Sequence, residues 1–213
     1  QINCLICDKT DFEILFEKDR YSLFCQIGIC KECGMIQQTK YYNSNLLKIF
    51  FNNYYNDIYD QFENAKARFK EQYIGAPRIY NFCKEYLSND KNTFEVLELG
   101  CGAGGILKYF QDKGSNVTGI DFDDKHLEYG RSKGLKLYNK YNFNKKYDLI
   151  LLSHVLEHIV DANLEINKIK KILKKDGLIY IEVPSIHTIK YNNYKFNILQ
   201  FIHIAHCYYF SIK

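Results

Sequence analysis

No apolar run in this 213-residue chain reaches the ~20 residues that a membrane-crossing helix needs, so no transmembrane segment is expected. No signal peptide and no internal repeat is visible. Charge of one sign is also scarce in excess: 29 Lys and Arg stand against 25 Asp and Glu, a net +4. So mild a balance suits an anionic small substrate and does not suggest nucleic acid. The densest basic cluster (Lys168, Lys170, Lys171, Lys174, Lys175) shares a helix with an apolar stripe of Leu164, Ile169, Ile172 and Leu173, and reads as a solvated outer face. The share of charged residues, 25%, and of hydrophobic ones, 46%, is ordinary for a soluble globular protein, and the length suffices for one full domain plus a small appendage.

What is present concentrates around residues 96–105, Val-Leu-Glu-Leu-Gly-Cys-Gly-Ala-Gly-Gly. Phe94, Val96, Leu97 and Leu99 read as a buried parallel strand. The glycines then let the backbone bend and approach a ligand. Ile106, Leu107, Tyr109 and Phe110 follow at helical spacing, which places the glycines at a strand-to-helix turn. About one βαβ unit later Gly119-Ile120-Asp121 closes a second apolar run, and an acid there is placed to accept hydrogen bonds from both hydroxyls of a ribose. Gly100, Gly102 and Gly105 also satisfy the dinucleotide string G-x-G-x-x-G, which keeps a nicotinamide dehydrogenase as an alternative. Glu98 argues against it. A carboxylate two residues before the first glycine repels a pyrophosphate on the helix N-terminus, whereas a ligand bearing an ammonium and a sulfonium welcomes it.

Together with Glu98-Leu-Gly-Cys-Gly-Ala-Gly104 and Asp121, two later stretches run in a set order. They are Tyr147-Asp148-Leu-Ile-Leu-Leu-Ser-His-Val-Leu-Glu-His158 and Leu173-Lys-Lys-Asp-Gly-Leu-Ile-Tyr-Ile-Glu-Val-Pro184. Over residues 94–186 the chain resembles the class I S-adenosylmethionine-dependent methyltransferases. That resemblance implies S-adenosylmethionine as cofactor. Glu98 and the turn of Gly100, Cys101, Gly102 and Gly104 would cradle its methionine half. Asp121 would hold the ribose, Phe122 would pack on the adenine, and His154 would stand at the cofactor-facing end of its strand. Phe122 can equally be read as a core aromatic, and Asp123 or Asp124 as the cap of the next helix, Lys125–Lys133. His154 and His158 lie four apart around Glu157, a hint of a metal pair, but the order departs from His-Glu-x-x-His and a packing and positioning role is expected instead.

Cys4-x-x-Cys7 and Cys30-x-x-Cys33 are two matched pairs separated by 22 residues. Each such turn aims two sulfurs at one point, so Cys4, Cys7, Cys30 and Cys33 are expected to hold a structural zinc. The other cysteines (Cys25, Cys83, Cys101, Cys207) are scattered, which speaks against a disulfide framework; with a nucleotide-type cofactor this gives a reducing, cytoplasmic setting as the expectation. Cys25 reads as a small buried hydrophobe.

Cys30-Lys-Glu-Cys-Gly-Met-Ile-Gln-Gln38 with the first pair is similar to zinc-containing methyltransferases of nucleotide-linked deoxysugars. In that group a His inside a stretch ending His-x-x-Tyr-Phe-Ser serves as base, and His206-Cys-Tyr-Tyr-Phe-Ser211 fits. His206 is therefore the candidate base. Ala205 stands where those enzymes carry an acid, and His203 where they carry a tyrosine, so transfer to a hydroxyl becomes at least as plausible as transfer to carbon. A sugar or nucleotide-linked sugar is the expected acceptor, with a macromolecule recognised by the zinc module as the alternative. Tyr54, Tyr55 and Tyr59 could close over the ligand or attach the zinc module to the core. His187 lies in a loop expected to border the substrate.

The expected architecture is a doubly wound, mostly parallel α/β sheet of Rossmann-like methyltransferase type with a small N-terminal zinc-binding module. Strands are expected near 94–99, 116–121, 135–138, 147–153 and 178–183, and helices over 61–74 and from Pro77 to Leu87. Residues 1–42 form the zinc module, 43–90 a helical connection or lid, and 91–213 the methyltransferase domain. With only five strand candidates before Lys213, the C-terminal strands of the family's sheet read as missing.

Overall fold

Two compact units divide the computed structural model, which describes residues 2–41, 46, 49–50, 54, 58, 64–87, 93–140, 145–190 and 196–211. One unit comprises Phe50–Ser153 and Ile166–Ile181; the other comprises Gln1–Ile49, His154–Glu165 and Glu182–Lys213. The N-terminal strands β1 (Phe12–Lys18), β2 (Phe24–Cys30) and β3 (Ile36–Gln38) form an antiparallel meander. Asp19 fixes its first turn, because its buried carboxylate accepts the N–H groups of Tyr21 and Leu23, both at 2.9 Å.

In the larger unit the first helix, α1 (Ala65–Lys84), runs through Pro77 without a break, where the sequence predicts two helices. Proline removes one helical hydrogen bond at a cost of ~3 kcal/mol. The buried stripe Gln72, Ala76, Ile79 and Cys83 continues across it at helical spacing and packs on the helix Gly105–Asp112, so tertiary burial overrides the local breaker. Residues 61–63 lie outside the described residues. Next come β4 (Glu95–Leu99), α2 (Gly105–Asp112), β5 (Asn116–Ile120), α3 (Asp124–Ser132), β6 (Leu137–Tyr138), β7 (Tyr147–Ser153), α4 (Ala162–Ile172) and β8 (Leu173–Glu182). The strand expected near 178 thus begins five residues earlier, directly after α4. On α4 the buried positions are Ala162, Glu165, Ile169 and Ile172, while Leu164, expected in the apolar stripe, is exposed.

The larger sheet has the order β6-β5-β4-β7-β8, with β4–β5, β4–β7 and β5–β6 parallel. The chain steps outward from β4 to β6, then returns to the other side of β4 for β7. That reversal makes the carboxyl end of β4 a topological switch point, where open α/β sheets leave a crevice for ligand. The core beneath is apolar: Val96, Leu107, Phe110, Leu149 and Leu151 are each at most 1% exposed.

In the smaller unit a further strand, β9 (Tyr208–Tyr209), pairs antiparallel with β3 and completes a four-stranded sheet β1-β2-β3-β9. Gln38 reinforces the junction by donating from Nε2 to the carbonyls of Ile204 and His206 at 2.7 and 2.9 Å. The N-terminal module therefore takes its last strand from the far end of the chain. No helix among the described residues is long and apolar enough to cross a membrane.

Candidate functional site

Register brings two acids to the switch point. In the β4–β5 ladder Glu98 faces Gly119 and Leu99 faces Ile120, so Asp121 leaves β5 beside the start of the glycine turn. Gly100, Gly102 and Gly104 all adopt positive φ, a conformation that disfavours other residues. The turn closes on itself through Cys101 N–H to the Ile120 carbonyl (3.1 Å) and Gly104 N–H to the Cys101 carbonyl (2.9 Å).

Asp121 fastens this turn. Its Oδ2 accepts the Gly102 N–H at 2.7 Å and its Oδ1 accepts the Asp123 N–H at 2.9 Å. Each oxygen retains a second lone pair for a ligand hydroxyl. From the other side Gln72 of α1 donates from Nε2 to the Cys101 carbonyl (3.0 Å) and accepts the Gly105 N–H at Oε1 (3.1 Å). A Cβ on Gly105 would stand 2.2 Å from the Phe69 carbonyl oxygen, so α1 and the turn pack backbone to backbone. Sequence reasoning missed Gln72. Its one signal is a polar residue on an otherwise apolar buried stripe.

Glu98 is 1% exposed, and its Oε2 has no hydrogen-bond partner among the described residues. Burial, then the charge of Asp121, holds its carboxyl well above the usual carboxylate range, with Arg68 pulling the other way. A buried, unmatched carboxylate beside a glycine cradle fits a cationic ligand group and disfavours an anionic one. An amino-acid ammonium with a nucleoside attached, as in S-adenosylmethionine, meets that requirement. Phe122 is 75% exposed, so the core reading fails. Asp123 is the cap of α3, as expected, accepting the N–H groups of Lys125 and His126. Cys101 is fully buried, and burial pushes its thiol well above its ordinary value.

In the smaller unit the four cysteines of the two pairs converge, with all their sulfurs within 4.8 Å of one another. Cys4 Sγ lies 3.4 Å from Cys33 Sγ, and Cys7 Sγ 3.5 Å from Cys30 Sγ. A tetrahedral zinc with bonds of ~2.3 Å spaces its sulfurs about 3.8 Å apart, close to this arrangement. The same turn is built twice. Asp8 N–H reaches the Cys4 carbonyl and Gly34 N–H the Cys30 carbonyl, at 3.0 and 2.8 Å, and both residues have positive φ. Burial pushes Cys4 up to about 12. Burial acts on Cys30 in the same sense, but the N–H groups of Cys33 and Glu32 bring it down to about 7. Four sulfurs at these spacings offer the donor set of a structural metal. Cys25 is buried apart from this cluster, its thiol raised to about 12 by burial.

His203 and His206 lie in the same unit, both buried, with ring centroids 3.5 Å apart. Burial, then neighbouring imidazoles, holds both far below the ordinary histidine value, His203 at about 2, so both are neutral near pH 7. Ala205 brings no acid beside His206, but Glu157 Oε1 lies 3.9 Å from His206 Nε2. His154 adopts φ 56°, rare for a residue with a side chain, and donates its N–H to the Glu182 carbonyl at 2.8 Å. His187 is exposed in a 3-10 turn, Ile186–Lys190. Tyr54 is exposed, while Tyr55 and Tyr59 lie outside the described residues.

The chain is similar to known methyltransferases. A Pelagibacter ubique protein named ubiquinone biosynthesis O-methyltransferase is 26% identical over 60% of this chain and 61% of its own length. An Eschscholzia californica (S)-tetrahydroprotoberberine N-methyltransferase is also 26% identical, over 62% of this chain and 40% of its own. The chain thus spans about three fifths or less of the length of these curated relatives. The crystal structure of the plantazolicin methyltransferase BpumL with a substrate analogue and SAH shares the fold, at TM-score 0.53 and 18% identity over 73% of this chain and 65% of that one. A family model described as a methyltransferase domain matches residues 47–213, and with the glycine turn and its two acids in place the chain belongs to the methyltransferase-domain family.

Proposed function

We propose that the protein transfers a methyl group from S-adenosylmethionine to a hydroxyl of a sugar or nucleotide-linked sugar. The buried Glu98 carboxylate, unpartnered at Oε2 beside the glycine turn, carries the cofactor assignment. Glu98 receives the methionine ammonium, the turn from Gly100 through Gly104 lies along the methionine half, Asp121 takes the ribose and the exposed Phe122 ring the adenine. The sulfonium is already a strong electrophile, so the protein needs chiefly to align donor and acceptor and remove one proton. His206, with His203 beside it, supplies the neutral imidazole for that proton. The Cys4, Cys7, Cys30 and Cys33 cluster holds a structural zinc that folds the β1–β3 module.

The sugar acceptor rests on the His206-to-Ser211 stretch and the paired cysteines. A second reading, a hydroxyl on a small molecule other than a sugar, is favoured by the name of the Pelagibacter relative, an O-methyltransferase. A methyl-transfer screen with S-adenosylmethionine, read by mass, separates the two. A nucleotide sugar gaining one methyl group supports the first reading. Methylation confined to phenolic or other non-sugar hydroxyls overturns it. Thermal stabilisation by NAD but not by S-adenosylhomocysteine would overturn the cofactor assignment itself.

A further inference from the structure

Glu157 is the second buried carboxylate that the protein leaves unmatched. It is 1% exposed, and neither oxygen has a hydrogen-bond partner among the described residues. Three imidazoles nevertheless surround Oε1: His154 Nδ1 at 3.7 Å, His158 Nε2 at 3.9 Å and His206 Nε2 at 3.9 Å. These spacings are too long for hydrogen bonds and too short for a water between. They suit an ion that draws the groups together.

We propose that Glu157, His158 and His206 form a second metal site, binding a divalent first-row transition ion through one carboxylate oxygen and two imidazole nitrogens. The ligand atoms of the three residues all lie within 4.8 Å of one another. A tetrahedral ion with bonds of ~2.1 Å separates its ligands by about 3.4 Å, so loading closes the carboxylate–imidazole pairs by roughly half an ångström and the widest pair by at most about 1.4 Å. The tautomer of His158 is already set for it. His158 Nδ1 lies 2.8 Å from the Ala205 carbonyl, which can only accept, so Nδ1 carries the proton and Nε2 the lone pair facing Glu157. The backbone fixes the spacing, since Cys207 N–H donates to the Glu157 carbonyl at 2.7 Å and Tyr208 Oη to the Val160 carbonyl at 2.5 Å. Two imidazoles and a carboxylate suit zinc, iron, cobalt or manganese better than calcium or magnesium.

The sequence alone points away from this site, because the order around Glu157 is wrong for two ligands on one helix. The structure supplies the missing ligand from 48 positions further along the chain. Three protein ligands leave at least one coordination position for an oxygen of water or acceptor. With His206 Nε2 on the ion, the base role proposed above for His206 would pass to His203 beside it. That consequence rests on the methyl-transfer reading; the ion site does not.

The test uses the full chain with its thiolate-bound metal in place. Metal analysis of gently purified protein, followed by Co²⁺ titration, should total two equivalents. The second should show weak d–d bands without thiolate charge transfer. Glu157→Gln and His206→Gln should each lose that equivalent and keep the first, whereas Cys4→Ser with Cys7→Ser should lose the thiolate signature. One metal per chain in the unsubstituted protein, with no further Co²⁺ taken up, overturns the proposal whatever the variants do. So does a second equivalent that persists in both Glu157→Gln and His206→Gln. No methyl acceptor enters the experiment, so its failure is distinct from failure of the sugar reading.

Discussion

The Asp121 carboxylate accepts the Gly102 backbone N–H at 2.7 Å, so the acid proposed for the ribose also holds the shape of the turn proposed for the methionine half. The two halves of the proposed pocket are therefore coupled through one side chain. Asp121→Ala should weaken S-adenosylhomocysteine binding by more than the loss of a ribose contact. Charge-assisted hydrogen bonds contribute about 1.5–3 kcal/mol each, so a loss of at least about tenfold in affinity is expected. Asp121→Asn keeps one acceptor oxygen and should fall between. Undiminished affinity in the alanine variant by calorimetry would remove Asp121 from the pocket.

Gln72 clamps the same turn from α1, and both groups it serves are backbone. Gln72→Leu keeps the side chain's bulk but leaves the Gly105 N–H and the Cys101 carbonyl unpaired. Each buried orphan costs about 1–3 kcal/mol. For a chain of this size ~1 kcal/mol corresponds to roughly 2–4 °C, so two orphans should lower the melting temperature by at least about 4 °C and by up to about 24 °C. Saturating S-adenosylhomocysteine should recover part of that loss by re-ordering the turn. A variant that melts with the unsubstituted protein would show that the clamp is idle.

The placing of Glu98, the turn and Asp121 at a strand-to-helix junction, and the Asp123 cap, are legible in the sequence because each is a local signal read within one βα unit. Pro77 misleads for the complementary reason: its local penalty is outweighed by a stripe of burial spanning Gln72 to Cys83. Gln72 stays hidden because its partners lie 29 and 33 positions away, and nothing in a helix announces which loop a polar side chain will meet. The β3–β9 pairing and the approach of Glu157 to His206 are likewise long-range. The cysteine pairs lie between these cases. Spacing shows that each turn aims two sulfurs at a point, while only the fold shows that the two points coincide.

Glu98 should make stability and binding respond to pH in opposite senses. Its folded-state value lies above its unfolded one, so the folded protein holds this proton longer. Stability from this group is therefore greatest below the unfolded value of ~4.3 and is lost as pH rises toward the higher folded value. Glu98→Gln removes that titration. The variant without ligand should melt above the unsubstituted protein by a margin that grows as pH climbs past the ordinary carboxylate range. Ligand affinity runs the other way: the ammonium requires the carboxylate, so binding strengthens with pH and releases a proton. Calorimetry in two buffers of different ionisation enthalpy reads that proton, and the glutamine variant should show none. Equal proton release by both forms would move the ammonium away from Glu98.

Cys4→Ser with Cys7→Ser tests the cysteine centre and the borrowed strand at once, because it leaves the ion proposed at Glu157 in place. If coordination supplies the folding energy of the β1–β3 module, removing the metal should raise amide exchange across residues 2–41. Because β9 pairs with β3 alone among the described residues of its sheet and Gln38 ties the Ile204 and His206 carbonyls, protection should fall at residues 204–209 as well. Amides of β4 and β5 belong to the other compact unit and its own parallel ladder, so they should keep most of their protection. Hydrogen-exchange mass spectrometry resolves the three regions. Loss confined to residues 2–41, with 204–209 unchanged, would show that β9 is held by something other than the metal-folded sheet.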